Sequence, residues 1–289
     1  MTVVEQDRLV SLRENVSELA VLPHVIFSIL EPVGPDEPNA FDLDRIVAVD
    51  PGFAAKVLVL ANSGAFGSSG SVGALFDAIE ILGYRTVRTL AMTAGTFEMF
   101  VGKNDPYSLR RRRWWRHSVD SAHACRWLAK TSRRANSEEA YTAGLLHLLG
   151  KSLLDRYGGC DYSLVTERQA SGQRDWEAER SVYGCDHTEL LISLSAQWNL
   201  PQRMLGAFDY QWAPLTHDQS TGLRACLAIA TRLASAACKG PQLGSGDLAD
   251  CPEWALEALG MSRSDLTIVL DEGIGAITES QLNTRSVHA

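Results

Sequence analysis

The chain has 289 residues, of which 45% are hydrophobic and 21% are charged, the proportions of an ordinary soluble globular protein. This length accommodates one large domain or two coupled lobes, each able to bury a substantial core. The formal net charge of −8 argues against a dedicated nucleic-acid binder, which is usually basic. No apolar run is long enough to span a bilayer, and the N-terminal MTVVEQDRLVSLREN lacks the basic-then-apolar order of a signal peptide.

The cysteines indicate a reducing compartment. Six are scattered along the chain, and no two form a CxxC pair. A chain of this length does not need disulfide bonds to stabilise its core, so free or buried thiols are expected. We therefore predict a cytoplasmic protein.

Apolar residues recur at helical spacing throughout, whereas the alternation typical of strands is rare. Asp50–Pro51 is typical of a helix start, with an aspartate cap and proline in the first helical position; Asn62–Ser63–Gly64 predicts its end. Two more helices are predicted through Leu75–Leu82 and Val87–Ala94. Later helices are predicted over 114–130, 137–157, 177–183, 187–198, 201–210, 220–238, 253–259 and 264–277. The predicted fold class is all-α.

Two glycine- and proline-containing breaks divide the chain, GKNDP at 102–106 and GPQLGSG at 240–246. They predict an N-terminal helical lobe over 1–105, a second helical lobe over 106–240 and closing helices over 241–289. A receiver domain would show alternating strands and helices with clustered aspartates, and this pattern does not occur.

Seven short motifs occur in a specific order: Leu22–Pro23, Asp50–Pro51, Leu60–Ser63, Ala78–Gly83, Trp115–Ser118, Ala143–His147 and Trp198–Pro201. Together they resemble the HDOD family, the HD-related output domain of bacterial signalling proteins, over about residues 19–236. The resemblance implies an N-terminal helical bundle packed on an HD-like helical bundle. It also implies a place in two-component or cyclic-nucleotide signalling, commonly as an output without demonstrated catalysis.

Active HD hydrolases bring histidines and carboxylates together on metal ions that activate water. The resemblance assigns His117 and His147 to this set, and His187 adds a third imidazole. The two carboxylate positions are occupied by Leu148 and Thr231, so both anionic ligands are missing. Hard divalent cations prefer oxygen ligands, and neutral imidazoles hold zinc or nickel only in suitable geometry. We expect no metal, no cofactor and no catalytic residue, with the three histidines as the remnant of a site.

Each histidine also has a purely structural interpretation. His147 lies among leucines and fits a buried, hydrogen-bonded core residue, and His117 fits the lining of a helix start. His187 follows Asp186, which fits a helix cap with the histidine in the first turn. Gln211–Trp212 occupies the place of a His-His pair that HDOD relatives often show before a proline, a second loss at the same site.

Four basic residues are candidate anion contacts. Lys151 lies one helical turn after His147, so the two side chains share a helix face. In active HD relatives, a lysine at this position resembles a phosphate-contacting residue. The alternative is a surface lysine near a helix end. Arg112, Arg113 and Arg116 flank two tryptophans. Arginine recognises phosphate or carboxylate, and tryptophan stacks on bases or guanidinium groups. This run is interpreted as a docking or regulatory-ligand patch, or as a solvated helix face.

The leading hypothesis is a non-enzymatic signal-transduction output that contacts a sensor kinase, a receiver or a transcription regulator. It acts either alone or as part of a longer response regulator. One alternative is a residual metal-dependent phosphohydrolase that uses the three histidines. A second alternative is a sensor of cyclic dinucleotides or other nucleotides, with Lys151 and the arginines holding the phosphates.

Overall fold

The computed structural model describes residues 51–62, 72–102, 105–198, 200–214, 219–238 and 248–288. Every regular element in these ranges is helical, which confirms the all-α fold. None of the helices described there combines the length and apolarity needed to cross a membrane. The motif Leu22–Pro23, the residues Ser63–Gly64 and the break at 240–246 lie outside the described residues.

The helices follow the chain in a simple order. Their bounds are α1 Pro51–Ala61, α2 Leu75–Leu82, α3 Tyr84–Val101, α4 Ser108–Ser132, α5 Ser137–Leu146, α6 Leu149–Tyr157, α7 Ser163–Ala170, α8 Asp175–Tyr183, α9 His187–Gln197, α10 Gln202–Phe208, α11 Thr221–Ala237, α12 Glu253–Leu259 and α13 Leu266–His288. A 3-10 turn at Arg263–Asp265 precedes α13. The helix α7 was not predicted from the sequence.

The described residues divide into two compact units, one within 51–98 and 278–288 and one within 99–277. In the first unit, α1 packs on α2, and Asn62 closes the end of α1 as predicted. The Asn62 side chain donates to the carbonyls of Leu58 and Val72 at 2.8 and 2.9 Å and accepts from the Val72 amide at 2.7 Å.

The second unit is built around α4, which packs on α5, α6 and α11. At Gly144 a Cβ atom would lie 2.6 Å from the backbone of Ala122. The helices α4 and α5 therefore cross so closely that only glycine fits at this position. The helix α5 starts at a good cap, because the Asn136 side chain accepts from the amides of Glu138 and Glu139 at 2.9 and 3.1 Å. These two acidic side chains also favour the positive end of the helix dipole.

The single helix predicted over 137–157 is wrong, because the chain turns at His147–Leu148 between α5 and α6. Leu148 has φ −96° and ψ 3°, outside the helical region. The turn lets α6 approach the start of α9. A Cβ atom on Gly150 would lie 2.0 Å from the carbonyl oxygen of His187, so the two helices meet backbone to backbone.

The contact at Gly150 generates a stability prediction. We expect Gly150→Ala to lower the free energy of unfolding by about 1–3 kcal/mol, because the methyl group must push α6 away from α9. The matched control is Gly275→Ala in α13, where no atom lies within 4 Å of the added Cβ. This control should change stability by no more than about 1 kcal/mol, in the stabilising direction. Urea denaturation measures both, and equal midpoints for the two variants would contradict the prediction.

Candidate histidine site

The second unit brings the predicted histidines to neighbouring elements. His117 lies in the middle of α4, His147 in the turn between α5 and α6, and His187 at the first position of α9. The ring centroids of His117 and His147 are 5.7 Å apart. The Gly150 contact holds α6 against the start of α9 and thereby brings His187 to the same region. We refer to these three side chains as the histidine site.

His147 is buried and neutral. Its side chain is 1% exposed, and Nδ1 donates a hydrogen bond of 2.6 Å to the carbonyl of Gly144. Burial, and after it the proximity of His117, holds the pKa of His147 well below its usual value. With Nδ1 protonated, Nε2 is an acceptor, and this buried atom has no hydrogen-bond partner among the described residues.

His187 is fixed by two carboxylates. Asp186 caps α9, since its Oδ1 accepts from the amides of Thr188 and Glu189, both at 2.9 Å; the predicted cap is confirmed. The Nδ1 atom of His187 donates to Glu179 Oε2 at 2.5 Å, and the His187 amide donates to the same oxygen at 2.9 Å. The Nε2 atom of His187 is buried and lacks a partner within the described part of the chain.

Glu179 is a residue of the site that the sequence analysis missed. Its side chain is buried, and its second oxygen accepts from the Tyr162 hydroxyl. Burial opposes ionisation, but the neighbouring His187 outweighs it, so the pKa of Glu179 lies below its usual value. The carboxylate orients the imidazole in the way that acidic residues orient metal-binding histidines. The signal in the sequence was weak, since Glu179 resembles any acidic residue of a short helix.

Lys151 is a buried cation rather than a surface lysine. Its side chain is 8% exposed, and its ammonium group forms an ion pair with Asp175. Gln169 also donates to Asp175, at 2.6 Å. Burial opposes the ionisation of Asp175, but the lysine charge outweighs it and lowers the pKa of that carboxyl. The surface alternative considered for Lys151 is therefore wrong.

His117 is also neutral near physiological pH. Burial, together with the positive charge of Lys151, lowers its pKa to about 4. The residue lies well inside α4 and not at the helix start, so the interpretation that placed it at a helix start is wrong.

The donor set does not fit a divalent cation. Leu148 is 7% exposed and offers no ligand atom, and the Thr231 hydroxyl donates to the Ala228 carbonyl of its own helix at 3.2 Å. In the described ranges, no three His, Cys, Asp or Glu side chains converge to hold a metal ion.

One aromatic side chain borders the histidine site, and a second aromatic contact lies close to it in sequence. The ring of Tyr210 contacts that of His147 with centroids 5.6 Å apart. Two positions later, Trp212 contacts Trp176 with centroids 5.3 Å apart and is 44% exposed. The segment at Gln211–Trp212 therefore supplies an aromatic contact to α8.

The arginine run contains one buried member. Arg111 is 1% exposed, and its guanidinium donates to Asp155 at 2.8 Å, to Asp105 at 2.6 Å and to the Val101 carbonyl at 2.9 Å. The three candidate anion contacts on this helix are all exposed: Arg112, Arg113 and Arg116.

Comparisons with known proteins agree with this architecture. The HDOD domain family model matches residues 19–214. The chain belongs to the HDOD family. A solved HDOD domain protein from Geobacter sulfurreducens shares 22% identity at a TM-score of 0.73, with 94% of this chain and 96% of that chain covered. No curated protein matches the chain.

Two further solved structures resemble this HDOD protein. One, from Shewanella amazonensis SB2B, is provisionally described as a phosphohydrolase, with 26% identity, a TM-score of 0.66, and coverage of 94% of this chain and 97% of that one. The other, from Marinobacter aquaeolei VT8, is provisionally described as a signal transduction protein, with 22% identity, a TM-score of 0.73, and coverage of 99% of this chain and 66% of that one. The HDOD fold is thus related to the HD phosphohydrolase fold and has neighbours described as signalling proteins.

The low pKa of His117 predicts a pH dependence of stability. The unfolded imidazole binds its proton near pH 6.5 and the folded one near pH 4. Between these values the unfolded state binds more protons, so the free energy of unfolding falls as the pH falls. We expect His117→Asn to reduce this slope by up to about 1.4 kcal/mol per pH unit.

Urea unfolding of both proteins from pH 4.5 to 7.5 measures the effect. The other buried histidines, His123 and His147, are retained in the variant and supply the remaining slope. Identical slopes for the wild type and the variant would show that His117 titrates normally in the folded protein.

Proposed function

We propose that this HDOD protein is a non-enzymatic signal-transduction module that acts through contacts with other signalling proteins. The observation that carries the proposal is the pair of substitutions at the inferred carboxylate positions. Leu148 and Thr231 stand where an HD hydrolase would place anionic ligands, and the Thr231 hydroxyl is engaged within its own helix. Without these oxygens, a bound magnesium or manganese ion loses both ligands and charge compensation.

The charge balance of the site supports the same proposal. Lys151 and Asp175 neutralise each other, and Glu179 is engaged by His187 and Tyr162. Both carboxylates of the site are therefore already engaged by partners within the protein. An HD-type reaction needs a cation to activate water and to offset the phosphate charge, and this lysine cannot activate water as a Lewis acid.

The protonation of His147 argues against phosphate binding at its ring. Its Nδ1 donates to a backbone carbonyl, and burial keeps its pKa well below the usual value. The neutral ring therefore offers an acceptor at Nε2, and phosphate oxygens require donors. The nucleotide-sensor alternative would therefore depend on the exposed arginines and Lys151 rather than on His147.

The first test measures phosphodiester hydrolysis by the purified protein. We expect purified protein with manganese to hydrolyse neither cyclic dinucleotides nor generic phosphodiesters, and elemental analysis to find no stoichiometric metal. The physical reason is the missing pair of oxygen ligands. Robust hydrolysis that His147→Ala abolishes would overturn the proposal and establish the phosphohydrolase alternative.

The second test asks whether the output in the cell depends on protein contacts alone or also on a reaction at the histidine site. We expect a chromosomal His117→Asn variant to capture the same sensor kinase, receiver or transcription regulator as the wild type after in-cell crosslinking, and to give the same transcript profile. A deletion strain provides the reference for lost output. If the variant reaches wild-type abundance but behaves like the deletion strain, an imidazole-dependent reaction is required and the proposal fails.

A further inference from the structure

The end of α3 is held by side chains from α4 and α6. A helix leaves its last backbone carbonyls without partners of its own, and in α3 the carbonyls of residues 99–101 each accept a hydrogen bond from a side chain. Arg156 Nη1 donates to the first at 2.7 Å, the Ser152 hydroxyl donates to the second, and Arg111 Nε donates to the third at 2.9 Å. The two guanidinium groups also favour the negative end of the helix dipole. We call these three donors the α3 clamp.

The clamp is buried and braced. Ser152 and Arg111 are 0% and 1% exposed, so their hydrogen bonds are shielded from water. Arg111 also donates to Asp155 of α6 at 2.8 Å, and this carboxylate is buried as well. The chain leaves α3 at Gly102 with φ 60°, where a Cβ atom would lie 2.6 Å from the guanidinium carbon of Arg156. The end of α3 therefore cannot shift without disturbing these contacts.

Helix α6 takes part in both the clamp and the histidine site. Its residues Gly150 and Lys151 lie beside the histidines, where Gly150 meets the carbonyl of His187. Its residues Ser152 and Arg156 follow along the same helix and hold α3. The helix has only nine residues, and its backbone hydrogen bonds make so short a segment move as one body. A displacement of α6 beside the histidines therefore reaches the clamp.

We propose that α6 couples the histidine site to the end of α3, so that a displacement of α6 at either place changes the other. This inference rests on the proposed function, since a module that acts through contacts must carry a change from one place in its fold to another. A hydrogen bond weakens steeply when its length or angle departs from the optimum, so a small shift of α6 at Gly150 loosens the bond from Ser152. Coupling between two sites is reciprocal; loosening the clamp therefore also changes the contact at His187.

Hydrogen exchange of the full chain, measured by NMR at single amides, tests the coupling. Gly150→Ala should speed exchange of the amides of 99–101 about threefold or more, because the last turn of α3 opens more often once the clamp loosens. The matched control is Gly222→Ala in α11, where the Cβ atom would lie 2.1 Å from the Arg134 carbonyl oxygen. This control creates a similar clash away from α6 and should leave exchange at 99–101 unchanged. Gly150→Ala combined with Ser152→Ala should exchange no faster there than Ser152→Ala alone.

The reverse direction tests the proposal even if Gly150→Ala does not fold. Ser152→Ala should speed exchange of the His187 amide, which donates to Glu179 at 2.9 Å. The matched control Ser235→Ala removes a serine hydrogen bond within α11 and should leave that amide unchanged. Unaltered exchange of the distant amides in the folded variants, equal acceleration by the controls, or additive effects in the double variant would each overturn the proposal. Turnover assays report on catalysis alone, so the coupling and the non-enzymatic role can fail separately.

Discussion

The approach of Gly150 to the carbonyl of His187 is the constraint on which the histidine site depends. A side chain larger than hydrogen cannot occupy this contact, because the Cβ position lies 2.0 Å from that oxygen. The contact sets α6 against the start of α9, directly after the turn at His147–Leu148. It thereby helps to place His147 and Lys151 relative to His187.

Electrostatics then determines what the packed site can do. Lys151 pairs with Asp175 and His187 pairs with Glu179, so the two carboxylates each have a partner inside the protein. Buried charges are tolerated when they are paired and hydrogen-bonded. The Nδ1 atoms of His147 and His187 are each held by an acceptor, as in metal-binding histidines.

The sequence predicted the local features of this site and missed the long-range ones. Asp50–Pro51 and Asp186 predicted helix starts because a cap acts over three residues, and the structure confirms α1 and α9 at those places. The break at His147 was missed, and the close contact that follows it joins Gly150 to His187, 37 residues away in sequence. The pairing of Lys151 with Asp175 was missed for the same reason, since neither residue indicates its partner.

Helix α4 shows why the surface and the site can serve different purposes. Its buried positions, which include Arg111, Ser118 and Ala122, pack on the rest of the unit, while Leu109 and the exposed arginines point to solvent. Because these positions alternate with the helical period, charges on the exposed side can change without moving His117 or the crossing at Gly144. The exposed side of α4 is therefore a surface on which a few residues can change without disturbing the histidine site on the other side.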